Sequence, residues 1–595
     1  MKIHWLDIVI ILLYLATTIT IGFFLKKRAA KNLDSYFLGG KSLPWYLLGV
    51  SNASGMFDIT GTMWLVYLLF VYGLKSVFIP WLWPIFNQVF LMVYLSVWLR
   101  RSNVLTGAEW ITTRFGTARG ANLSHISVVI FALVSVVGFL AYAFQGIGKF
   151  SSVFLPWDIA PETYALIFMG ITTLYVVMGG MFSVVLTEVI QFFVMTVSSI
   201  IIGLIAFNQV SSEALAAVIP AGWKDIWFGW QLDLDWTGIM DSVNTKIASD
   251  GWSLFTIFVM MMLFKGILIS MAGPVPNYDM QRILATRNPK EAAKMSGLVS
   301  VVLFFPRYLM ITGLTVLALV FFSPELNAMG ADIDFEMVLP YAINNFIPVG
   351  LMGVLLAGLL AAFMSTFAAT VNAAPAYFVN DIYKRYINPN APNRRYILLS
   401  YVSSVLIVIL GISFGFMAES INTVTQWIVS ALWGGYTAAN LLKWYWWRLN
   451  GYGYFWGMMM GILMALIMPK LFPDLAPLNA FPFILAGSTV ACVLGSLYTK
   501  PDDDEVLKKF YSQVRPWGFW KPIHDKVVKE NPQFKKNTDF KRDMVNIVVG
   551  IIWQICLIAL PIYIIIKEEV PAITAFIILF ITSLVLKKNW LDKLR

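Results

Sequence analysis

The segment NASGMFDITGTMW, Asn52 to Trp64, interrupts a long apolar run with two glycines, Gly55 and Gly61, and one carboxylate, Asp58. An ionised side chain at membrane depth is costly and is usually functional. Gly55 lets a helix unwind, and carbonyl groups in an unwound turn lose their intrahelical partners and can face a ligand. We therefore expect this helix to break near Gly55, with a binding site beside Asp58.

The composition is that of a membrane protein. Of 595 residues, 59% are hydrophobic and 13% are charged. Apolar runs of about 20 residues, enough to cross a hydrocarbon core of roughly 30 Å, recur throughout. They predict an all-α polytopic membrane protein with about 15 transmembrane helices. The candidate spans are 6–25, 44–73, 76–99, 124–148, 161–180, 187–207, 252–272, 296–322, 340–379, 396–417, 422–442, 453–469, 479–498, 546–566 and 570–586.

The net charge of +10 is distributed unevenly. If successive spans alternate in direction, 34 of the 43 lysines and arginines fall on one set of loops. This asymmetry follows the positive-inside rule and predicts a multi-pass protein of the cell membrane, with the N-terminus outside and the C-terminus cytoplasmic. The basic charge then sets the topology in the lipid bilayer, and we expect no nucleic-acid partner and no obligate protein partner.

A second interruption is found in SMAGPVPNYD, Ser270 to Asp279, where one glycine and two prolines must disturb a helix. Five spans separate the two interruptions, so the two broken helices run in opposite directions. Such paired breaks indicate an inverted-repeat transporter. We expect a single membrane transporter domain over 1–595, divided into a leading helix, 6–25, a first repeat, 44–207, a second repeat, 252–442, and accessory helices, 453–595.

Within the accessory part, 499–545 is a polar loop that mixes cationic and aromatic residues. Two interpretations stay open. The loop lies on the anionic cytoplasmic leaflet, or it is a solvated connector with one short interfacial helix.

The most specific motif is LYVVMGGMFSVVLTEVIQ, Leu174 to Gln191. It resembles the signature of the sodium:solute symporter family, an aromatic or aliphatic residue followed by small residues, Gly-Gly, an apolar residue and a small residue. The matching positions are Tyr175, Gly179, Gly180, Met181 and Ser183. The family then has Thr-Asp, whereas this chain has Thr187 and Glu188. Glu188 is therefore an ion-coupling candidate that departs from the family by one methylene.

Three further segments are similar to parts of the same family. They are DSYFLGGKSLPWYLLGVS at 34–51, QRILATRNPKEAAK at 281–294 and GLLAAFMSTFAATVNAAPAYFVNDIYKRY at 358–386. The resemblance implies a LeuT-type fold of five-plus-five inverted repeats with extra flanking helices. It implies a sodium-coupled symporter that works by alternating access and is not an enzyme.

The resemblance also implies a sodium site, with Na⁺ as the coupling ion. It places the carbonyls of Ser54, Phe57 and Ala362 and the hydroxyls of Ser365 and Thr366 around the ion. An alternative from the residues alone is that the two hydroxyls bond to carbonyls one turn earlier in their own helix.

The candidate substrate-binding residues are Asp58, Lys265, Arg307, Gln426 and Trp83. Asp58 binds substrate or a second cation, or it pairs with Lys265 or Arg307, which lie within apolar spans. Gln426 matches a polar substrate-side position of the family. Gln145 is either a further candidate or an interhelical hydrogen-bonding residue.

The substrate is expected to be a small organic solute, with a sugar or sugar-like compound favoured by tryptophans near the first two core helices. A carboxylate with two buried cations would also suit an anionic or zwitterionic solute, such as a sugar acid or amino acid. A non-transporting solute sensor, a channel and a membrane enzyme are rival functions. The sequence has three histidines and no metal-spacing motif that would favour the enzyme.

Overall fold

The structure, a computed structural model, describes residues 4–594 except for 156, 330–337, 339–349, 418–432, 473–474 and 476. These residues form helices and no strand. The helices are α1 (Trp5–Ala29), α2 (Leu33–Leu38), α3 (Trp45–Met56), α4 (Ile59–Tyr72), α5 (Asn87–Phe90), α6 (Ser96–Arg101), α7 (Gly107–Phe115), α8 (Arg119–Phe154), α9 (Pro161–Gln209), α10 (Ser212–Ala216), α11 (Asp241–Asp250), α12 (Phe255–Ala272), α13 (Tyr278–Ala285), α14 (Pro289–Met329), α15 (Leu351–Phe378), α16 (Asn393–Met417), α17 (Trp433–Tyr445), α18 (Gly451–Leu471), α19 (Pro477–Leu497), α20 (Asp504–Val514), α21 (Lys521–Glu530), α22 (Phe540–Ile565) and α23 (Glu569–Asn589).

Twelve elements of the described chain are long and apolar enough to cross a membrane. The all-α polytopic class is therefore confirmed, while the expected count of about 15 spans is not. The expected spans 161–180 and 187–207 both lie within α9, where the non-helical residue Gly180 separates two helical halves. The expected span 76–99 is divided into short helical segments. Most of 422–442 lies outside the described residues.

The glycine pair of the family-like motif produces a sharp bend inside α9. Gly180 has φ 50° and ψ −150°, which is not helical. A Cβ at this position would lie 2.7 Å from the carbonyl oxygen of Tyr36. The Tyr36 hydroxyl in turn donates to the carbonyl of Val177, at 2.9 Å. Only glycine combines this backbone conformation with this close approach, so the motif fixes the packing of α2 against α9.

The predicted break in the first core helix is present, but it lies after Gly55. Helix α3 continues to Met56, Phe57 has φ −86° and ψ 67°, and Asp58 is extended before α4 begins. Gly55 itself stays helical and allows close packing, since a Cβ there would lie 3.4 Å from the Cβ of Ala369 and 3.5 Å from the ring of Tyr278. The helix therefore breaks near Gly55, as expected, and its first non-helical residue is Phe57, two positions later.

The predicted break in the second repeat is also present. Helix α12 ends at Ala272, Gly273 has φ 90°, and α13 begins at Tyr278 with Asn277 as its N-cap. Prolines 274 and 276 lie in the connecting segment, where neither can donate a backbone hydrogen bond. Helices α3 and α13 pack against each other, so the two breaks lie side by side.

The polar loop 499–545 folds back onto the core. It contains α20 and α21, and Trp517 and Trp520 are both buried. The indole of Trp520 donates to the carbonyl of Trp444 at 2.8 Å, and the ring of Trp517 stacks on Tyr445 with centroids 5.0 Å apart. These contacts show that the loop is not solvated throughout, and it holds two helices rather than the one short helix expected for a connector.

Candidate functional site

A cavity of about 260 Å³ lies beside the two helix breaks. Its wall is formed by α3, α4, α5, α8, α13, α14 and α15 and by the segments that precede α5 and α13. Aromatic side chains make up much of the surface, and polar groups are few, as is usual for small-molecule sites. The aromatic residues that the argument uses are Trp64, Trp83, Tyr142 and Tyr278.

An ion pair lies on the cavity wall. The Nη2 atom of Arg307 on α14 is 2.9 Å from Oδ1 of Asp58. Their side chains are 11% and 18% exposed. The other carboxylate oxygen of Asp58 accepts the backbone N–H of Gly61 at 2.6 Å and the hydroxyl of Tyr142 at 2.9 Å. Asp58 therefore caps α4, neutralises Arg307 and remains accessible from the cavity.

Arg307 also reaches the broken turn itself. Its Nη1 atom donates to the carbonyl of Met56 at 3.0 Å, and its guanidinium carbon lies 5.6 Å from the ring centre of Phe57. The sequence left open whether Lys265 or Arg307 partners Asp58, and the structure gives that position to Arg307. The ammonium of Lys265 lies 5.4 Å from the ring centre of Phe481 on α19, away from the cavity wall.

Four of the five residues expected at the sodium site, Ser54, Ala362, Ser365 and Thr366, come together between α3 and α15. Ser365 donates its hydroxyl to that of Ser54 at 2.7 Å, and both side chains are buried. Thr366 donates to the carbonyl of Gly55 at 2.7 Å and to that of Ala362 at 3.2 Å. These groups supply five neutral oxygens, the kind of ligand that a hard cation requires. The residues present therefore fit a sodium ion.

The geometry changes two details of the expected ligand set. Gly55, which sequence reasoning assigned only to the break, supplies the carbonyl nearest Thr366. The carbonyl of Ser54 accepts the N–H of Phe57 at 3.1 Å as the helix ends. The alternative of a bond one turn back holds in part for Thr366, which contacts Ala362, whereas Ser365 bonds across to α3.

Glu188 lies in a second, fully buried ion pair. Its Oε1 and Oε2 atoms accept Nη2 of Arg282 at 2.7 and 2.6 Å, and Oε2 also accepts the hydroxyl of Ser51. The pair joins α9 to α13 and α3. The charge of this ion-coupling candidate is thus already balanced by an arginine of the second repeat.

The remaining candidate residues, Gln145, Trp83 and Gln426, differ in their positions. Gln145 donates to the carbonyl of Gly415 on α16 at 2.9 Å, which is the interhelical hydrogen bond foreseen as its alternative role. Trp83 lines the cavity. Gln426 lies outside the described residues.

Sequence reasoning missed one carboxylate on the cavity wall, Asp279, and its amide neighbours Asn87 and Gln88. A signal was present. Asp279 follows the second break as closely as Asp58 follows the first, because it lies in the first turn of α13. An acidic residue therefore accompanies each of the two breaks.

Comparison with known proteins connects this geometry to a family. Residues 36–461 match the sequence model of the sodium:solute symporter family. The chain is 26% identical to the sodium/mannose cotransporter SLC5A10 of Bos taurus, over 76% of this chain and 77% of that protein. It is 24% identical to the sodium/glucose cotransporter of Vibrio parahaemolyticus, over 84% and 92%.

A solved structure shares the fold. A Na⁺-coupled sialic acid symporter in a substrate-bound outward-open state superimposes with a TM-score of 0.66 at 16% identity, over 84% of this chain and 99% of the other. This similarity confirms the predicted LeuT-type architecture.

Proposed function

Because the chain belongs to the sodium:solute symporter family, we propose that it imports a small organic solute, a sugar or sugar-like compound, by alternating access. The protein is a sodium-coupled symporter of a membrane, with Na⁺ as coupling ion, and it is not an enzyme.

The cavity is the observation that carries the choice of solute. Its volume of about 260 Å³ is slightly below the roughly 300 to 1,000 Å³ of typical ligand sites, which favours a single small molecule. Aromatic faces such as those of Trp64 and Trp83 suit the C–H faces of a sugar ring. The carboxylate of Asp58 and the hydroxyl of Tyr142 suit its hydroxyl groups.

An acidic solute is the second candidate, and Arg307 favours it. Its guanidinium lies on the cavity wall, where a planar fork of donors can hold a carboxylate in two hydrogen bonds. In this case a sugar acid or a zwitterion would compete with Asp58 for Arg307.

The site assignments follow from this proposal. Sodium is bound by Ser54, Gly55, Ala362, Ser365 and Thr366, and the carbonyl of Phe57 in the broken turn is a further candidate ligand. The solute contacts Asp58, Arg307 and Trp83. Because the sodium ligands and the cavity share Gly55 and Thr366, occupation of one site shapes the wall of the other. Such contact is how an ion and a solute become coupled.

We further propose the orientation with the N-terminus outside and the C-terminus cytoplasmic, on the basis of the lysine and arginine asymmetry. The division into repeats at 44–207 and 252–442 rests on the two helix breaks. Each break follows a helix, α3 or α12, that begins its repeat.

A thermal-shift screen in sodium and in potassium tests the choice of solute. The purified protein is heated with monosaccharides, polyols, sugar acids and amino acids. A ligand at 100 times its Kd stabilises the folded state by about 2.7 kcal/mol, so a true solute should raise the melting temperature in sodium and much less in potassium. Stabilisation by amino acids alone would reject the sugar proposal.

Two variants with matched charge changes locate the effect. Arg307→Met should abolish the shift produced by the solute, because Arg307 lines the cavity. Lys265→Met removes a buried cation away from the cavity and should keep the shift. If Lys265→Met abolished the shift and Arg307→Met kept it, the solute would bind beside α19.

A further inference from the structure

A buried carboxylate surrounded by three amides lies on the cavity wall. Oδ1 of Asp279 accepts Nδ2 of Asn52 at 2.7 Å and Nε2 of Gln88 at 3.2 Å. Oδ2 accepts Nδ2 of Asn87 at 2.9 Å. Asp279 is 4% exposed, and the three amide residues are 0%, 3% and 9% exposed for Asn52, Gln88 and Asn87. These four residues are called the Asp279 cluster below.

No cationic side chain in the described part of the chain touches the carboxylate of Asp279, and Arg282, one turn later in α13, is engaged by Glu188. In the described part of the chain, Asp58 pairs with Arg307 and Glu188 pairs with Arg282. No lysine, arginine or histidine nitrogen in that part lies within 4.0 Å of Asp279. An ionised carboxylate in a dry interior is normally paired or bound to a metal ion. A bound cation would balance the charge of Asp279, as arginines balance the charges of Asp58 and Glu188.

The amides supply a second, independent observation. Oδ1 of Asn52, Oδ1 of Asn87 and Oε1 of Gln88 are buried and have no hydrogen-bond partner among the residues that the structure describes. Such orphaned acceptors are rare in native proteins and call for an explanation such as a bound ion. A half-turn of each amide exchanges its nitrogen with its oxygen. The three oxygens would then lie about 3 Å from the carboxylate oxygens, a spacing that is repulsive unless a cation lies between them.

We propose that the Asp279 cluster is a second cation site, which binds sodium through the carboxylate of Asp279 and the side-chain oxygens of Asn52, Asn87 and Gln88. Sodium is favoured because every available ligand is a hard oxygen and only one of them carries charge. The site shares no residue with the one at Ser365 and Thr366. This inference rests on the proposed function in one respect: the expected total of two sodium ions includes the ion at Ser365 and Thr366.

The position of the cluster explains what a second ion would do. Asn52 belongs to α3, before the first break, and Asp279 belongs to α13, after the second break. Asn87 and Gln88 form the start of α5. A cation held among these three elements joins the two repeats beside the solute cavity. Its binding would therefore favour one arrangement of the repeats, which is what a driving ion must do.

The test counts the sodium ions bound to the purified full-length protein in detergent. Equilibrium binding of radioactive sodium is measured without any organic solute. We expect two ions per chain for the wild type, one for Asp279→Asn, one for Ser365→Ala/Thr366→Ala, and none for the triple variant. Asn87→Ala and Gln88→Leu each keep the charge and remove one oxygen, so each should weaken the second ion by about tenfold.

Asp543→Asn is the matched control, because it makes the same substitution in a buried carboxylate outside the cavity, and it should keep two ions. An unchanged count of sodium ions in folded Asp279→Asn would overturn the proposal. The proposal is also overturned if methylammonium displaces the second sodium ion from wild type at concentrations well below that of the sodium present, since the site would then serve an ammonium group of the solute. The wild type could instead bind a single ion that is lost in Asp279→Asn but kept in Ser365→Ala/Thr366→Ala. That result would support the site at Asp279 and reject the one at Ser365 and Thr366.

Discussion

Replacing Asp58 by Asn is expected to reduce solute uptake by about a hundredfold or more, because the pair that faces the cavity loses its negative charge. A hundredfold change corresponds to about 2.7 kcal/mol of binding in the transported state. Asn can still cap α4, so the helix break should survive. Arg307 loses its carboxylate partner at 2.9 Å, and it keeps the carbonyl of Met56 and the ring of Phe57.

The stability of the same variant separates ligand binding from charge balance. Breaking a fully buried pair costs about 3 to 5 kcal/mol, and the partial exposure of this pair reduces that cost. Asp58→Asn should therefore melt a few degrees lower. Adding Arg307→Met should restore the melting temperature without restoring uptake, whereas adding Lys265→Met should restore neither. Full uptake by Asp58→Asn would exclude a direct role in the solute site.

Removing both hydroxyls in Ser365→Ala/Thr366→Ala is expected to raise the sodium concentration needed for uptake by about tenfold or more, since a loss of about 1.4 kcal/mol gives that factor. The two hydroxyls lie at 2.7 Å from oxygens of α3. Their removal takes ligands from the ion and also weakens the contact between α15 and the broken helix.

Two controls distinguish these effects. Thr366→Ser keeps the hydroxyl and should keep the sodium requirement close to that of the wild type. Thr370→Ala, in the same helix, removes a hydroxyl that bonds only to the carbonyl of Thr366 at 2.8 Å, and it should leave the sodium requirement unchanged. If the double variant retains the wild-type sodium dependence, the ion is bound elsewhere.

The fold was largely predictable, because a membrane imposes strong local rules. Apolar runs must be helical to satisfy their backbone groups, so spans could be located without tertiary information. Proline and glycine at 273–276 had to interrupt α12. The exact end of α3 was not predictable from Gly55, since a glycine tolerates both helical and unwound backbone. Packing against Ala369 and Tyr278 keeps Gly55 helical.

The partners of the buried charges were not predictable in the same way. Asp58 and Arg307 are about 250 residues apart, and only the packing of α14 on α4 brings them together. Lys265 is equally basic and equally surrounded by apolar sequence, yet α12 turns it toward α19. The pairing of Glu188 with Arg282 depends on the bend at Gly180 and on the break before α13. The sequence identifies the charged residues that can pair, and the tertiary structure determines which of them do.

Sodium-driven accumulation in reconstituted vesicles is the most direct test of the central claim, that solute transport is coupled to sodium. Vesicles receive an inward sodium gradient of about tenfold, worth about 1.4 kcal/mol, and an inside-negative potential of about 100 mV, worth about 2.3 kcal/mol per charge. For a neutral solute identified by the thermal-shift screen, one ion permits accumulation of about 500-fold. We predict concentrative uptake that falls when the potential is clamped at zero and disappears when potassium replaces sodium. Equal accumulation in potassium, or no accumulation above the external concentration in sodium, would contradict the account.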